Sequence, residues 1–182
     1  SQTISYDTAI GYGALMDNTG NGANVAIGWS AMHETTAAGN SVAIGYQALK
    51  WGTHVRTIAI GYGAMSDTNA GSTSMGSVDN IFMGYNAGGG TWANAASNYN
   101  VGIGNYVMDG ALNGAIENTA LGYEALSSIT TEDANVAIGY RAMSGGGGTQ
   151  NIAIGADSMY QGPTGGTNYA IGRYSMMDCN AG

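Results

Sequence analysis

The residues of this chain best suited to hold a ligand fall together near its middle: Trp92 and Tyr99, with Asp79 and Asn94 nearby in sequence. They belong to two enlarged connectors, and loops on a rigid scaffold are the usual place for recognition. These four are the candidate ligand-binding residues. Other chemistry is thinly provided. His33 and His54 have no second His or Cys at metal-ligand spacing, so no metal site is expected. The adjacent Glu132 and Asp133 have the residue types of a glycosidase acid and base, yet sit in a turn-rich segment where such charges are ordinarily solvated. Asp17-Asn18-Thr19-Gly20-Asn21-Gly22 has the opening of a calcium loop without its later bidentate acid. The four glycines at 145–148 have no nearby Lys to make a phosphate loop. With no nucleophile elbow and no His-Glu-x-x-His helix either, neither an enzyme nor a cofactor is expected.

These residues must be positioned by a repeat. The block Asn135-Val136-Ala137-Ile138-Gly139-Tyr140-Arg141-Ala142-Met143 recurs ten times, aligned on Gly11, Gly28, Gly45, Gly61, Gly84, Gly104, Gly122, Gly139, Gly155 and Gly172. Successive glycines are 16 to 23 residues apart, most often 17. A fixed period of this kind marks a stacked architecture, in which each repeat is one structural unit. Four residues before the glycine stands a small polar residue, Asn in seven copies. A mostly β-branched residue, a small one, and Ile, Leu or Met follow.

Alternation along a strand then puts Val25 with Ile27, Val42 with Ile44, and Val136 with Ile138 on one face, and the alanines on the other. Ile27, Ile44 and Ile138 with Gly28, Gly45 and Gly139 are the structural signature of the repeat. Each block predicts a short strand with one apolar face and one nearly bald face, the glycine forming a corner a Cβ would block. An aromatic follows the glycine in seven copies, from Tyr12 to Tyr140. This column could form a ladder outside the coils, suited to stacking on sugars; the expectation we adopt is that the rings pack inside or against the next connector.

The connectors are rich in Gly, Asn, Thr, Ser and Asp, the usual turn formers. Two adjacent ones, 66–79 and 89–99, are enlarged, and the blocks beside them depart from pattern at Phe82, Gly88, Gly102, Asn105 and Val107. Loops on a rigid scaffold are common recognition sites, which is why the candidate residues are placed there. No stretch sustains the apolar spacing of an amphipathic helix. The fold expected is all-β: a parallel β-roll or β-solenoid of about ten coils of ~17 residues. Residues 1–182 form a single repeat domain, which starts and stops within the repeat and is expected to be a segment of a longer fibre protein.

Composition narrows the partners. The net charge is −8 with only four Lys and Arg, which disfavours nucleic acid and anionic membranes. No run approaches 18 apolar residues, so membrane insertion is not expected. The lone Cys179 has no partner for a disulfide within the chain. One coil offers about four large apolar side chains, such as Val136, Ile138, Tyr140 and Met143, which makes a lone coil marginal against the cost of ordering it. Packing of chain against chain across the Ala/Gly face, as a parallel homotrimer, is therefore expected.

Ser41-Val42-Ala43-Ile44-Gly45 and Asn118-Thr119-Ala120-Leu121-Gly122-Tyr123-Glu124-Ala125-Leu126 resemble the head repeats of YadA-type trimeric autotransporter adhesins. The Tyr-x-Ala-Leu/Met extension and Thr/Gly/Asn connectors are still more similar to repeats of bacteriophage tail fibres and tailspikes. The resemblance spans nearly the whole chain. It implies a left-handed, trimeric β-roll on a virion, or alternatively on a bacterial surface, that attaches to a host glycan or protein receptor. The longer period and abundant Tyr and Met favour a tail-fibre segment with a structural and attachment role over an adhesin head. A glycan-degrading tailspike and a monomeric ice-binding solenoid rank below both, the latter because Thr recurs irregularly.

Overall fold

The computed structural model describes residues 6–19, 22–35, 39–68, 76–93 and 95–178. It is all-β, with no helix among the described residues. Ten three-residue strands run β1 (Thr8–Ile10), β2 (Val25–Ile27), β3 (Val42–Ile44), β4 (Ile58–Ile60), β5 (Ile81–Met83), β6 (Val101–Ile103), β7 (Thr119–Leu121), β8 (Val136–Ile138), β9 (Ile152–Ile154) and β10 (Tyr169–Ile171). Each pairs in parallel with the next in sequence, so chain order and sheet order are the same. The result is a β-solenoid of about nine turns, as the repeat predicts; coil n below is the one that carries strand βn.

Register is set by backbone contact at the glycine. Ala26 lies beside Ala43 and Ala43 beside Ala59, and the glycine that ends each strand lies over the glycine of the next coil. Gly139 has φ +136°, and a Cβ built on it would stand 2.6 Å from the carbonyl oxygen of Gly155. An L side chain there meets both a forbidden backbone conformation and another backbone.

The small polar column satisfies the backbone just ahead of each strand. Asn100 Oδ1 accepts from the N–H of Asn118 at 3.0 Å, Asn118 Oδ1 from Asn135 at 3.0 Å, and Asn135 Oδ1 from Asn151 at 2.9 Å. The same amides donate to connector carbonyls, Asn100 Nδ2 to Ala115 at 2.9 Å and Asn118 Nδ2 to Glu132 at 2.8 Å. These side chains are fully buried, so each bond spares a buried amide from going unpaired. Ser41 fills the position with less reach, its Oγ accepting from Thr57 N–H at 3.2 Å.

The two strand faces are the reverse of their expected use. The bald face, expected to meet another chain, points into the coil: Ala26, Ala43, Ala59, Ala120, Ala137 and Ala153 are buried. They pack in one cluster with the inward column of Met32, Leu49, Met65, Met108, Leu126, Met143 and Met159. The apolar face points out and is only half covered, with Ile103 39% and Leu121 47% exposed. The interior of so thin a coil has room for one large side chain opposite the strand, not two.

The irregular middle follows the same volume rule. Phe82 stands where alanine is usual, and a Cβ on Gly88 or Gly102 would fall 2.8 Å or 2.7 Å from its ring. One oversized residue is thus matched by two that give up side chains. We expect Gly139→Ala to destabilise the protein by roughly 3 kcal/mol or more, from strain plus overlap, in urea unfolding at fixed protein concentration. Gly165→Ala, with nothing within 4 Å of its Cβ, should fall within about 0.5 kcal/mol of wild type. Phe82→Ala should cost about 3–5 kcal/mol, and Gly88→Met added to it should restore a large part by returning both positions to the repeat pattern.

Candidate functional site

Of the sequence candidates, Trp92 does not share the surface that carries Asp79 and Tyr99. Trp92 is fully buried, where its Nε1 donates to Gly88 O at 3.0 Å. Its ring meets Phe82 edge-on at 5.8 Å and His54 at 6.5 Å. This tryptophan fills the core under the enlarged connectors and presents nothing to a ligand. Asp79 and Tyr99 lie on the outer surface, and Asn94 lies outside the described residues. Asp79 is held by Arg56 through two 2.7 Å bonds, from Nε to Oδ1 and from Nη2 to Oδ2. That guanidinium holds the Asp79 carboxyl below the usual carboxylate range. Arg56, Asp79 and Tyr99 occupy one position in three successive coils, all with φ between +55° and +59°.

The aromatic column is a ladder, and it stands outside, not packed within. Tyr12, Trp29, Tyr46, Tyr62 and Tyr85 stack with centroids 4.7–6.2 Å apart and planes within 14°. Coil 6 carries Asn105 at the ladder position, and its neighbour Tyr106 supplies the ring instead, edge-on to Tyr85 at 5.3 Å and to Tyr123 at 5.8 Å. Tyr140 then stacks on Tyr123 at 5.5 Å. Within the stacked runs the ring faces are spent on one another, so those rings offer solvent their edges.

The remaining sequence candidates are structural. Glu132 Oε2 accepts from the N–H groups of Thr130 and Thr131 at 2.6 Å and 2.8 Å, and Asp133 Oδ1 from Ile116 N–H at 2.8 Å. Glu132 therefore holds its own turn, and Asp133 ties one coil to the one before it. His54 is buried with Nε2 2.7 Å from Thr68 Oγ1 and 3.1 Å from Trp51 O. Burial pushes its pKa down to about 4, with the Trp51 and Ser77 backbones opposing the shift. Among the described residues no group of three His, Cys, Asp or Glu could hold a metal ion, and no helix is long and apolar enough to cross a membrane. Part of the Asp17 loop, at 20–21, and Cys179 fall outside the described residues.

What sequence reasoning missed is a groove of about 430 Å³ across coils 7 to 9, lined by Glu124, Ser127, Ser128, Ser144, Gly145, Tyr160 and Gln161. Its cause is legible in retrospect. The two residues after the Met/Leu column are Ser127-Ser128 and Ser144-Gly145 in coils 7 and 8, but Tyr160-Gln161 in coil 9. Two small pairs beside a large one leave a step in the surface. Arg141 lies over the Tyr160 ring at 4.5 Å and over Tyr140 at 5.0 Å, and its Nη2 pairs with Asp157 at 2.7 Å.

No family model, curated protein or solved structure matches this chain.

The buried imidazole sets a pH dependence. Folded His54 takes up its proton near pH 4 and the unfolded chain near 6.5, so stability present above 6.5 is lost as pH falls towards 4. The loss should reach on the order of 3 kcal/mol. Urea midpoints measured from pH 7 to 4.5 should fall for wild type, and fall less steeply for His54→Gln.

Proposed function

We propose that this chain is a structural and host-attachment segment of a trimeric bacteriophage tail fibre. The observation that carries the reading is the outward apolar face. Val25/Ile27, Val42/Ile44, Ile58/Ile60, Val136/Ile138 and Ile152/Ile154 repeat in register along the rod and stay half exposed. Ten strands at about 4.8 Å make this ridge over 40 Å long, and at a width of roughly 10–15 Å it presents on the order of 500 Å². A contiguous apolar patch of that size stands at the upper end of what a monomer exposes, and its continuity from coil to coil favours a partner along its length. Parallel copies around a common axis would lay equivalent coils side by side, so that every coil finds the same partner surface. The number three comes from the resemblance of the repeats to fibre and adhesin-head repeats.

The attachment role draws on that resemblance and on the make-up of the rod. Glu132 and Asp133 are engaged by backbone N–H groups, which favours presentation and binding over turnover of a glycan by that pair. The longer period and the Tyr-rich column favour a virion fibre over an adhesin head on a bacterial surface.

Light scattering should give a mass of about 55 kDa, three times the 18.4 kDa chain. Ile44→Asp combined with Ile138→Asp should shift it to one chain with the β-type circular dichroism retained. Labelled wild-type trimer should adsorb to a subset of a panel of bacterial strains without releasing saccharide fragments. A single-chain mass for the wild type would remove the fibre reading, and release of fragments would make the chain a degrading tailspike.

A further inference from the structure

We propose that the groove across coils 7 to 9 binds a neutral hexopyranose unit of a surface glycan, a role that rests on the attachment reading above. Its volume, about 430 Å³, lies within the range of small-molecule sites. Its lining has the components that sugar recognition needs. Tyr160 gives an aromatic wall, pinned by the guanidinium of Arg141 at 4.5 Å. Ser127, Ser128 and Ser144 give hydroxyls, Gln161 an amide and Glu124 a carboxylate, a mixture of donors and acceptors matched to vicinal hydroxyls. Gln161 is steadied by its Nε2, which donates to Asp178 Oδ1 at 2.9 Å. The wall is therefore held before any ligand arrives, which lowers the ordering cost of binding.

Charge selects the class of sugar. Glu124 lies in the groove, and its charge adds to burial in raising the pKa of nearby Asp109. Arg141, the cation beside the groove, is committed to Asp157, with Nη2 at 2.7 Å and Nε at 2.9 Å. An anionic sugar would meet like charge with no free cation to answer it. A neutral hexose, whose hydroxyls donate to Glu124 and accept from Gln161, meets no such opposition. The two coils that make the hollow do so by carrying Ser127-Ser128 and Ser144-Gly145, and a bulky residue at the exposed Ser128 would fill it without entering the core.

Saturation-transfer NMR on the full chain tests this, with methyl α-glucopyranoside, methyl α-mannopyranoside and methyl β-galactopyranoside as probes and N-acetylneuraminic acid as the anionic control. At least one neutral glycoside should bind, with Kd on the order of millimolar. Ser128→Trp should weaken it at least about tenfold and Glu124→Gln about threefold, with circular dichroism unchanged for both. No transfer to any of the three, transfer unaltered by Ser128→Trp, or equal binding of the acidic sugar would overturn the assignment. Adsorption to bacterial cells is measured in parallel. Adsorption that survives Ser128→Trp while no glycoside binds ends the groove proposal and leaves attachment standing. Glycoside binding abolished by Ser128→Trp in a protein that adsorbs to no cell supports the groove and ends the attachment reading.

Discussion

A Cβ on a column glycine would have to occupy space that the next coil's carbonyl already fills. That one exclusion organises the molecule. Because Gly28 lies over Gly45 and Gly45 over Gly61, each turn of chain must start its corner directly above the last. Connector length is then free to vary, within limits, without loss of register. The steps of 23 and 20 residues around Gly84 show this tolerance: β5 still pairs Ile81 with Ile58 and with Val101, as strands joined by shorter connectors pair. Longer connectors add little closure entropy when both ends are already fixed by the stack.

Once the backbone is in register, every column becomes an interaction of a residue with its own kind. Buried amides satisfy the next coil's N–H, and aromatic rings meet the ring above, as in other parallel in-register stacks. The two ladders differ in what they can tolerate. The buried one accepts Ser41 because a hydroxyl can still receive an N–H, as Ser41 does from Thr57. The exposed one can slip by a residue at Asn105-Tyr106 and continue edge-on, since water stabilises whatever the rings leave uncovered.

The sequence made the repeat, the strand positions and the glycine corners legible, because all three depend on period alone. It did not reveal which strand face was inside. Alternation separates Val25 and Ile27 from Ala26 but is silent on direction, and the usual rule that apolar means buried gives the wrong answer here. What decides is the width of the coil. Met32, Leu49 and their equivalents already fill the interior, so only alanine fits opposite. Trp92 was misplaced for a related reason. A large aromatic in an enlarged connector reads as a surface feature, and nothing short of the packing of Phe82, His54 and Trp92 shows that the enlargement serves a wider core. The groove was equally hidden: it is a contrast between Ser127-Ser128, Ser144-Gly145 and Tyr160-Gln161, visible only once those pairs are known to be neighbours.

The inversion of the faces bears on how such a rod could serve two purposes at once. The half-exposed ridge is built from strand residues, whereas the groove is built from the residues that follow the inward Met/Leu column. No side chain belongs to both. Covering the ridge with parallel copies would therefore use none of the groove's polar groups, and changing the groove's residues would leave the ridge intact. The repeat fixes the glycine, amide and inward columns by contact between coils, while the pair after the Met/Leu column varies from His33-Glu34 to Lys50-Trp51 to Ser144-Gly145. A stack of this design can be altered on its surface without being altered in how it holds together, because the constraint lies in the backbone and the variation lies on the rim.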